Sequence, residues 1–295
     1  MYCVDPNASS PSVVHVIPGG KEVNGVTSLG DDVFVARWVC QQKIEVYDAK
    51  TFTLQRDITI PGLVGCYGLA ACPYNNCLYA SDGDNDSVHK VELSGSNAVM
   101  KWSVAGSPRG LSVNNEHNLI VASHGERRVQ IFSTPTTLLQ RRLQIFTTHG
   151  TLLQDIQLQV PGGPYHAVQL PTTSQFLVSH AHVDCSLHRV CLVGVDGAVV
   201  LSSGGQAGSE LKQMNWPCGL AVDREERVLV ADFYNDRLLV LDQSLSNAHE
   251  MSISVDRGLK RPRSLWYDQS RRRLYIGEWN GRVIVIDDLK DFSNI

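Results

Sequence analysis

His124, His166 and His180 are the side chains of this 295-residue sequence best equipped for chemistry, because neutral imidazoles brought from separate segments could meet on a metal ion. His182, Cys185 and His188 make a second cluster, yet neither the His-x-His nor the cysteine spacing matches a standard site. Histidines on separate loops ordinarily serve as hydrogen-bonding groups, so the expectation is no metal and no cofactor. Asp82-Gly-Asp-Asn-Asp86 has the composition of a calcium loop but lacks the distant glutamate, and it aligns with Asp232-Phe-Tyr-Asn-Asp236 as a solvated turn between strands. No serine-centred elbow, glycine-rich phosphate loop or paired-carboxylate pattern stands out.

The elements that must carry these residues recur. Short apolar strands begin at Val26, Leu69, Leu111, Val168, Leu220 and Leu265, spaced by 43, 42, 57, 52 and 45 residues. Each is followed by a second strand of the type Leu78-Tyr-Ala-Ser or Val228-Leu-Val-Ala. A period in the low forties holding several short strands is what a four-stranded propeller blade requires. The long third spacing contains a near-duplication, residues 130–140 against 144–154, shifted by 14. One copy is surplus to a four-stranded blade and should lie outside the regular sheet. The last blade runs out of chain after Val283-Ile-Val-Ile-Asp287, while Ser12-Val-Val-His-Val-Ile-Pro18 alternates as a strand and has no other place. Pairing the two closes the ring and removes an open edge. The predicted fold is therefore all-β, a six-bladed propeller of four-stranded antiparallel blades closed by an N-terminal strand in the last blade. It forms one domain over 1–295, with the closing strand at about 12–18, blades starting near 23, 66, 108, 164, 217 and 262, and the duplicated insert within 130–157.

Composition is that of a soluble globular chain, 43% hydrophobic and 19% charged, with no apolar run long enough for a membrane helix. The N-terminal residues lack a basic start and an apolar core, so no signal peptide is visible and the expected compartment is the cytoplasm. Eight cysteines show no Cys-x-x-Cys pair, and those in strands read as buried thiols. Cys72 and Cys77 flank the turn Pro73-Tyr-Asn-Asn76 and could sit opposite each other in a hairpin. Twenty-six Lys and Arg against 30 Asp and Glu leave a net charge of −4, too little positive surplus to drive phosphate contacts. The densest basic run, Arg271-Arg-Arg273, falls in a solvated turn on the face opposite the first-strand starts.

Pro217-Cys-Gly-Leu-Ala-Val-Asp223 through Val228-Leu-Val-Ala-Asp232, Asn235, Arg237 and Leu238-Leu-Val-Leu resembles an NHL repeat. Cys66-Tyr-Gly-Leu-Ala with Leu78-Tyr-Ala-Ser-Asp82, Asn85 and Val88 is a second copy, and Pro108-Arg-Gly-Leu with Ile120-Val-Ala-Ser a third. The other three depart at Arg37, His180 and Glu278, which stand where the aspartate is expected. The resemblance covers about 12–288, is similar to NHL propellers of invertebrates, and implies a fold more than an activity. No RING, B-box or coiled-coil segment is present to carry over the ligase function of tripartite-motif relatives.

Loops before the first strand and after the second share one face, so their residues ring the channel mouth. At the starts stand Asn24, Tyr67, Arg109, His166, Cys218 and Arg263; at the ends stand Arg37, Asp82, His124, His180, Asp232 and Glu278. The candidate ligand-binding set is Arg37, Asp82, Arg109, His124, His166, His180, Asp232, Arg263 and Glu278. Three arginines facing three acids suit a protein, peptide or small polar ligand better than a polyanion. Asp82 and Asp232, however, read first as caps of their own second-to-third-strand turns. Blades three and four, with Arg109, His124, His166 and His180, depart most from the repeat and are where a ligand is expected. The leading function is a monomeric, non-catalytic binding scaffold. An alternative is a metal-dependent lyase or hydrolase, as the resemblance of NHL propellers to amidating lyases and lactonases implies. The third is single-stranded RNA binding, as in tripartite-motif NHL proteins.

Overall fold

The computed structural model describes residues 12–38, 42–95, 97–124, 141–159, 163–170, 172–181 and 187–287. Their strands form six four-stranded sheets. Five are built from consecutive strands, whose first members begin at Val23, Cys66, Pro108, Pro164 and Pro217. The sixth takes Pro262–Asp268, Arg273–Glu278 and Val283–Asp287 from the end of the chain and Ser12–Ile17 from its beginning. Ser12–Ile17 lies antiparallel to Val283–Asp287, so the last blade gains its fourth strand as expected. Among the described residues no helix is long and apolar enough to cross a membrane.

Alternation explains the ring. In the strand Leu119–Ser123, Leu119 and Val121 pack with Leu111, Tyr79 and Val88 toward blade two, whereas Ile120 and Ala122 pack with Phe176 and Val178 of blade four. A second strand with both faces buried must be apolar at every position, and Leu-Ile-Val-Ala is. The same division produces six apolar clusters among the described residues, one in each interface between neighbouring blades. The cluster that closes the ring unites Tyr275, Val283 and Val285 with Val26, Val33 and Val35. Each buried Val, Leu or Ile contributes roughly 1.5–3 kcal/mol. Outer strands such as Leu54–Thr59 are largely exposed, as edges must be when no sheet covers them.

The third blade resolves the duplication. Its third and fourth strands, Arg142–Phe146 and Leu152–Gln157, use the second copy, while the first copy lies outside the described residues. Eighteen residues separate Ser123 from Arg142, where four separate Asp82 from Ser87 and Asp232 from Arg237. Cys72 and Cys77 are Cα partners across their hairpin, both buried. The Cys77 thiol donates to Cys72, which, with the Asn75 contacts prevailing over burial, holds the Cys72 thiol down to about 5.

Deletion of residues 128–141 would restore a four-residue turn after Ser123. The excised variant is expected to keep the wild-type far-ultraviolet dichroism and to gain about 1 kcal/mol from the smaller loop-closure entropy, read as a higher midpoint in urea. An unfolded variant would show that the surplus copy holds the blade together.

Candidate functional site

Every first strand carries a register shift at its start, between Val23 and Gly25, Cys66 and Gly68, Pro108 and Leu111, Pro164 and His166, Pro217 and Leu220, and Pro262 and Ser264. A bulge leaves one residue unpaired and re-aims its side chain. The unpaired residues are Asn24, Tyr67, Arg109, Tyr165, Cys218 and Arg263, all but Arg109 lining the small central cavity. Because blades three and six oppose each other in a six-membered ring, Arg109 and Arg263 face across the mouth.

Register corrects two positions. His166 was expected in the ring, but Tyr165 holds that place. His166 stands one residue deeper, where the other blades have Gly25, Gly68, Gly110, Gly219 and Ser264. These small residues let first strands approach: a Cβ on Gly68 would lie 2.5 Å from the Arg109 carbonyl oxygen. The imidazole of His166 fills the space a glycine leaves. Its Nδ1 accepts the Leu220 N–H at 3.0 Å, so its Nε2 carries the proton, 2.9 Å from the Leu111 carbonyl oxygen. Burial lowers its pKa, and protonation of Nδ1 would break the Leu220 bond. His166 thus staples three first strands beside a small central cavity of about 40 Å³ that residues of all six blades line.

Pairing also places Ser123, not His124, at the strand end opposite Pro108, equivalent to Asp82 opposite Cys66 and Asp232 opposite Pro217. His124 falls on the next position, half-buried with its ring edge-on to Tyr165 at 6.4 Å.

Asp82, Asp232, Glu278 and His180 are fully buried, and Arg37 nearly so. Asp82 accepts hydrogen bonds from the Val64 and Gly65 N–H groups at 3.1 and 3.0 Å and from Asn85 Nδ2 at 2.9 Å. Asp232 does the same with Asn215 N–H (2.6 Å), Asn235 Nδ2 (2.7 Å) and Arg237 Nε (2.8 Å). Glu278 takes the Lys260 N–H and Arg282 Nε, both at 2.6 Å. Each carboxylate ties its blade's opening loop to its second strand. Blade one reverses the sign, with Arg37 donating to the Lys21 and Gly281 carbonyls and to Glu45. Burial pushes the Asp232 carboxyl up despite its donors, whereas at Asp82 the donors, led by His89, overcome burial and hold the carboxyl well below the usual range.

The balance of three arginines against three acids therefore does not exist at the surface. Arg109 stacks on Tyr67, its Cζ 3.9 Å from the ring centre. Arg263 is only 9% exposed, lies 5.4 Å from the Trp279 centre and 6.0 Å from that of Tyr165, and makes no hydrogen bond or ion pair with any described residue. Between them burial pushes the Cys218 thiol up to about 12, against the pull of both guanidinium groups. Around the rim runs an aromatic chain, Tyr165 to Trp216 at 6.1 Å, Trp216 to Tyr234 at 5.9 Å, and Phe233 to Trp279 at 5.6 Å. Trp216 and Arg261 sit at φ 65° and 48°, a strained backbone for bulky side chains. The sequence signal for this belt was an aromatic residue directly after the strand end, as at Trp38, Phe233 and Trp279, and Trp216 directly before Pro217. Rim carboxylates are Asp84, near the Tyr67 hydroxyl, and Asp236, held by the Arg261 N–H.

No three His, Cys, Asp or Glu side chains converge as a metal site among the described residues. His182 and Cys185 lie outside them, and His188 instead accepts the Trp216 N–H at 3.1 Å. Arg271 pairs with Asp31 and Asp268, and Arg273 with Asp287, so the basic run is engaged by carboxylates.

No protein-family model and no curated protein matches the chain. Solved structures do. Hydrazine synthase of Kuenenia stuttgartiensis superposes with a TM-score of 0.65 at 12% identity, covering 98% of this chain and 100% of that one. Virginiamycin B lyase from Staphylococcus aureus gives 0.61 at 9% identity, covering 96% and 90%. The WD40 β-propeller domain of Doa1 gives 0.61 at 11%, covering 94% and 97%. The chain is a six-bladed β-propeller. At such identities these likenesses speak for the fold alone.

The Asp82 clamp has a pH signature. Its pKa is depressed on folding, so its stabilisation is complete above the ordinary aspartate range and is lost as pH falls through the folded value. Asp82→Asn is expected to cost about 2 kcal/mol at pH 7, and the gap in melting temperature from wild type should begin to narrow below about pH 4 and go on narrowing as the pH falls further. A gap that stays constant down to pH 2 would refute the assignment.

Proposed function

We propose that this protein is a non-catalytic binding scaffold of the NHL-propeller type, presenting its channel-mouth face to a protein or peptide, or to a small polar ligand. The observation that carries the reading is the rim itself. Six bulges deliver side chains to one mouth, and Tyr165, Trp216, Tyr234, Trp279, Arg109 and Arg263 gather there, the residue types that dominate binding hot spots. A scaffold gains nothing in packing from the half-exposed Tyr234 or the left-handed backbone at Trp216. The NHL-like strands of blades two, three and five support the family assignment, and the cysteine pattern supports a reducing compartment such as the cytoplasm.

Two variants test the face. Tyr165→Ala with Trp216→Ala alters the mouth, and Tyr74→Ala alters an aromatic, 75% exposed, on the opposite face. Affinity purification from the source cells with quantitative mass spectrometry is expected to lose its specific partners only with the mouth variant. Equal partner recovery from both folded variants would remove the mouth from the function.

A further inference from the structure

We propose that Cys72 and Cys77 form a redox site, which a small hydroperoxide converts from a pair of thiols into a disulfide across the tip of their hairpin. The two are Cα partners on antiparallel strands, and both are free. Partners in such a ladder lie about 4.5–5.5 Å apart at Cα, inside the range of about 4.4–6.8 Å that a disulfide spans, so the bridge needs no large movement of the backbone. Their sulfur atoms are already in hydrogen-bond contact, the Cys77 thiol donating to Cys72. Asn75, in the turn between them, adds its backbone N–H and its Nδ2, the latter 3.2 Å from the Cys72 sulfur. Donors gathered on one sulfur favour its anion, and the thiolate is the form that reacts. His117, on the first hairpin of the neighbouring blade, acts in the same direction on Cys72, while Tyr79 and Lys90 are the titratable groups that face Cys77. Cys191 and Cys218 differ. Burial pushes their thiols up to about 11 and about 12, which leaves them unreactive.

Burial selects the oxidant. Both cysteines are fully buried, beneath a turn whose Pro73, Tyr74 and Asn76 are exposed. Hydrogen peroxide, little larger than water, suits that place better than a glutathione-sized disulfide. A metal ion suits it less, because no third His, Cys, Asp or Glu joins the pair as a metal site among the described residues. The Cys72 thiolate attacks one peroxide oxygen, the O–O bond breaks, and hydroxide leaves and takes a proton from solvent. The Cys77 sulfur then displaces hydroxide from the resulting sulfenic acid, its own proton departing with that hydroxide as water. Two electrons pass from the two sulfurs to the peroxide, and two waters result.

The test is exposure of the folded, full-length protein to equimolar hydrogen peroxide in the presence of glutathione, followed by unfolding in an alkylating agent and mass spectrometry of the peptide that holds both cysteines. That peptide is expected to lose two hydrogens and to escape alkylation, dithiothreitol should reverse the change, and Cys191 and Cys218 should remain alkylated. In Cys77→Ser, which lacks the second thiol, unfolding in a 1,3-dione is expected to label the sulfenic acid at Cys72. In Cys72→Ser the label at Cys77 should be at least about tenfold weaker. Cys72 and Cys77 still alkylated after the glutathione, Cys191 or Cys218 has been oxidised would overturn the proposal, and the wild-type protein alone decides this. A disulfide that survives dithiothreitol in the folded protein would overturn it too, by making the pair a permanent cross-link. Equal labelling of Cys77 in Cys72→Ser would overturn the assignment of Cys72 as the reacting thiolate, and the proposal with it.

Discussion

A blade of this protein buries both of its faces, and no four-stranded sheet can do that alone. Each depends on two neighbours, so the contact that makes the array finite, Ser12–Ile17 laid along Val283–Asp287, bears on every other one. Without it the cluster of Tyr275, Val283 and Val285 against Val26, Val33 and Val35 would open at one side and the edge of the last blade would meet solvent. Closure also determines the mouth. Only in a complete ring do the residues of blades three and six face each other.

Ring closure crowds the axis, and the crowding explains the residues found there. Glycine at Gly25, Gly68, Gly110 and Gly219 allows first strands to come within contact distance, and the bulge just before each glycine turns one side chain out of the ladder. At blade four a histidine takes the glycine's place. Instead of approaching, that strand is held off by an imidazole that satisfies the Leu220 N–H and the Leu111 carbonyl together. The departure from the repeat that looked like chemistry is a solution to packing.

The period, the blade count and the closing strand were legible because they rest on apolar alternation, which the chain writes in long, unambiguous runs. Residue-level placement was not. A bulge inserts one residue into the strand without disturbing composition, and a one-residue shift decides which side chain reaches the mouth. Tyr165 and His166 are adjacent in the chain, and so are Ser123 and His124. Nothing in the alternation separates them, and the hydrogen-bond register does. The strand-end acids carried two readings, and for Asp82 and Asp232 the turn cap is the one the hydrogen bonds show. Aspartate and glutamate at loop ends are equally good ligands and equally good caps, and only the orphan N–H groups of the preceding loop, such as Val64 and Gly65, decide between the two.

That decision controls the electrostatics of the face. Had Asp82, Asp232 and Glu278 pointed into the mouth, the Val64, Gly65, Asn215 and Lys260 N–H groups would have lost their acceptors. Turned inward, they serve as clamps for their own blades, and blade one achieves the same clamp with the opposite charge, Arg37 on carbonyl oxygens. The clamps need only hydrogen-bonding capacity, so their sign is free to vary. The ring needs side chains that reach past a bulge and remain ordered in a half-buried place, and aromatic rings packed against guanidinium groups meet that demand. A mouth assembled under these two demands keeps its backbone clamps inside and its aromatic and guanidinium groups at the rim.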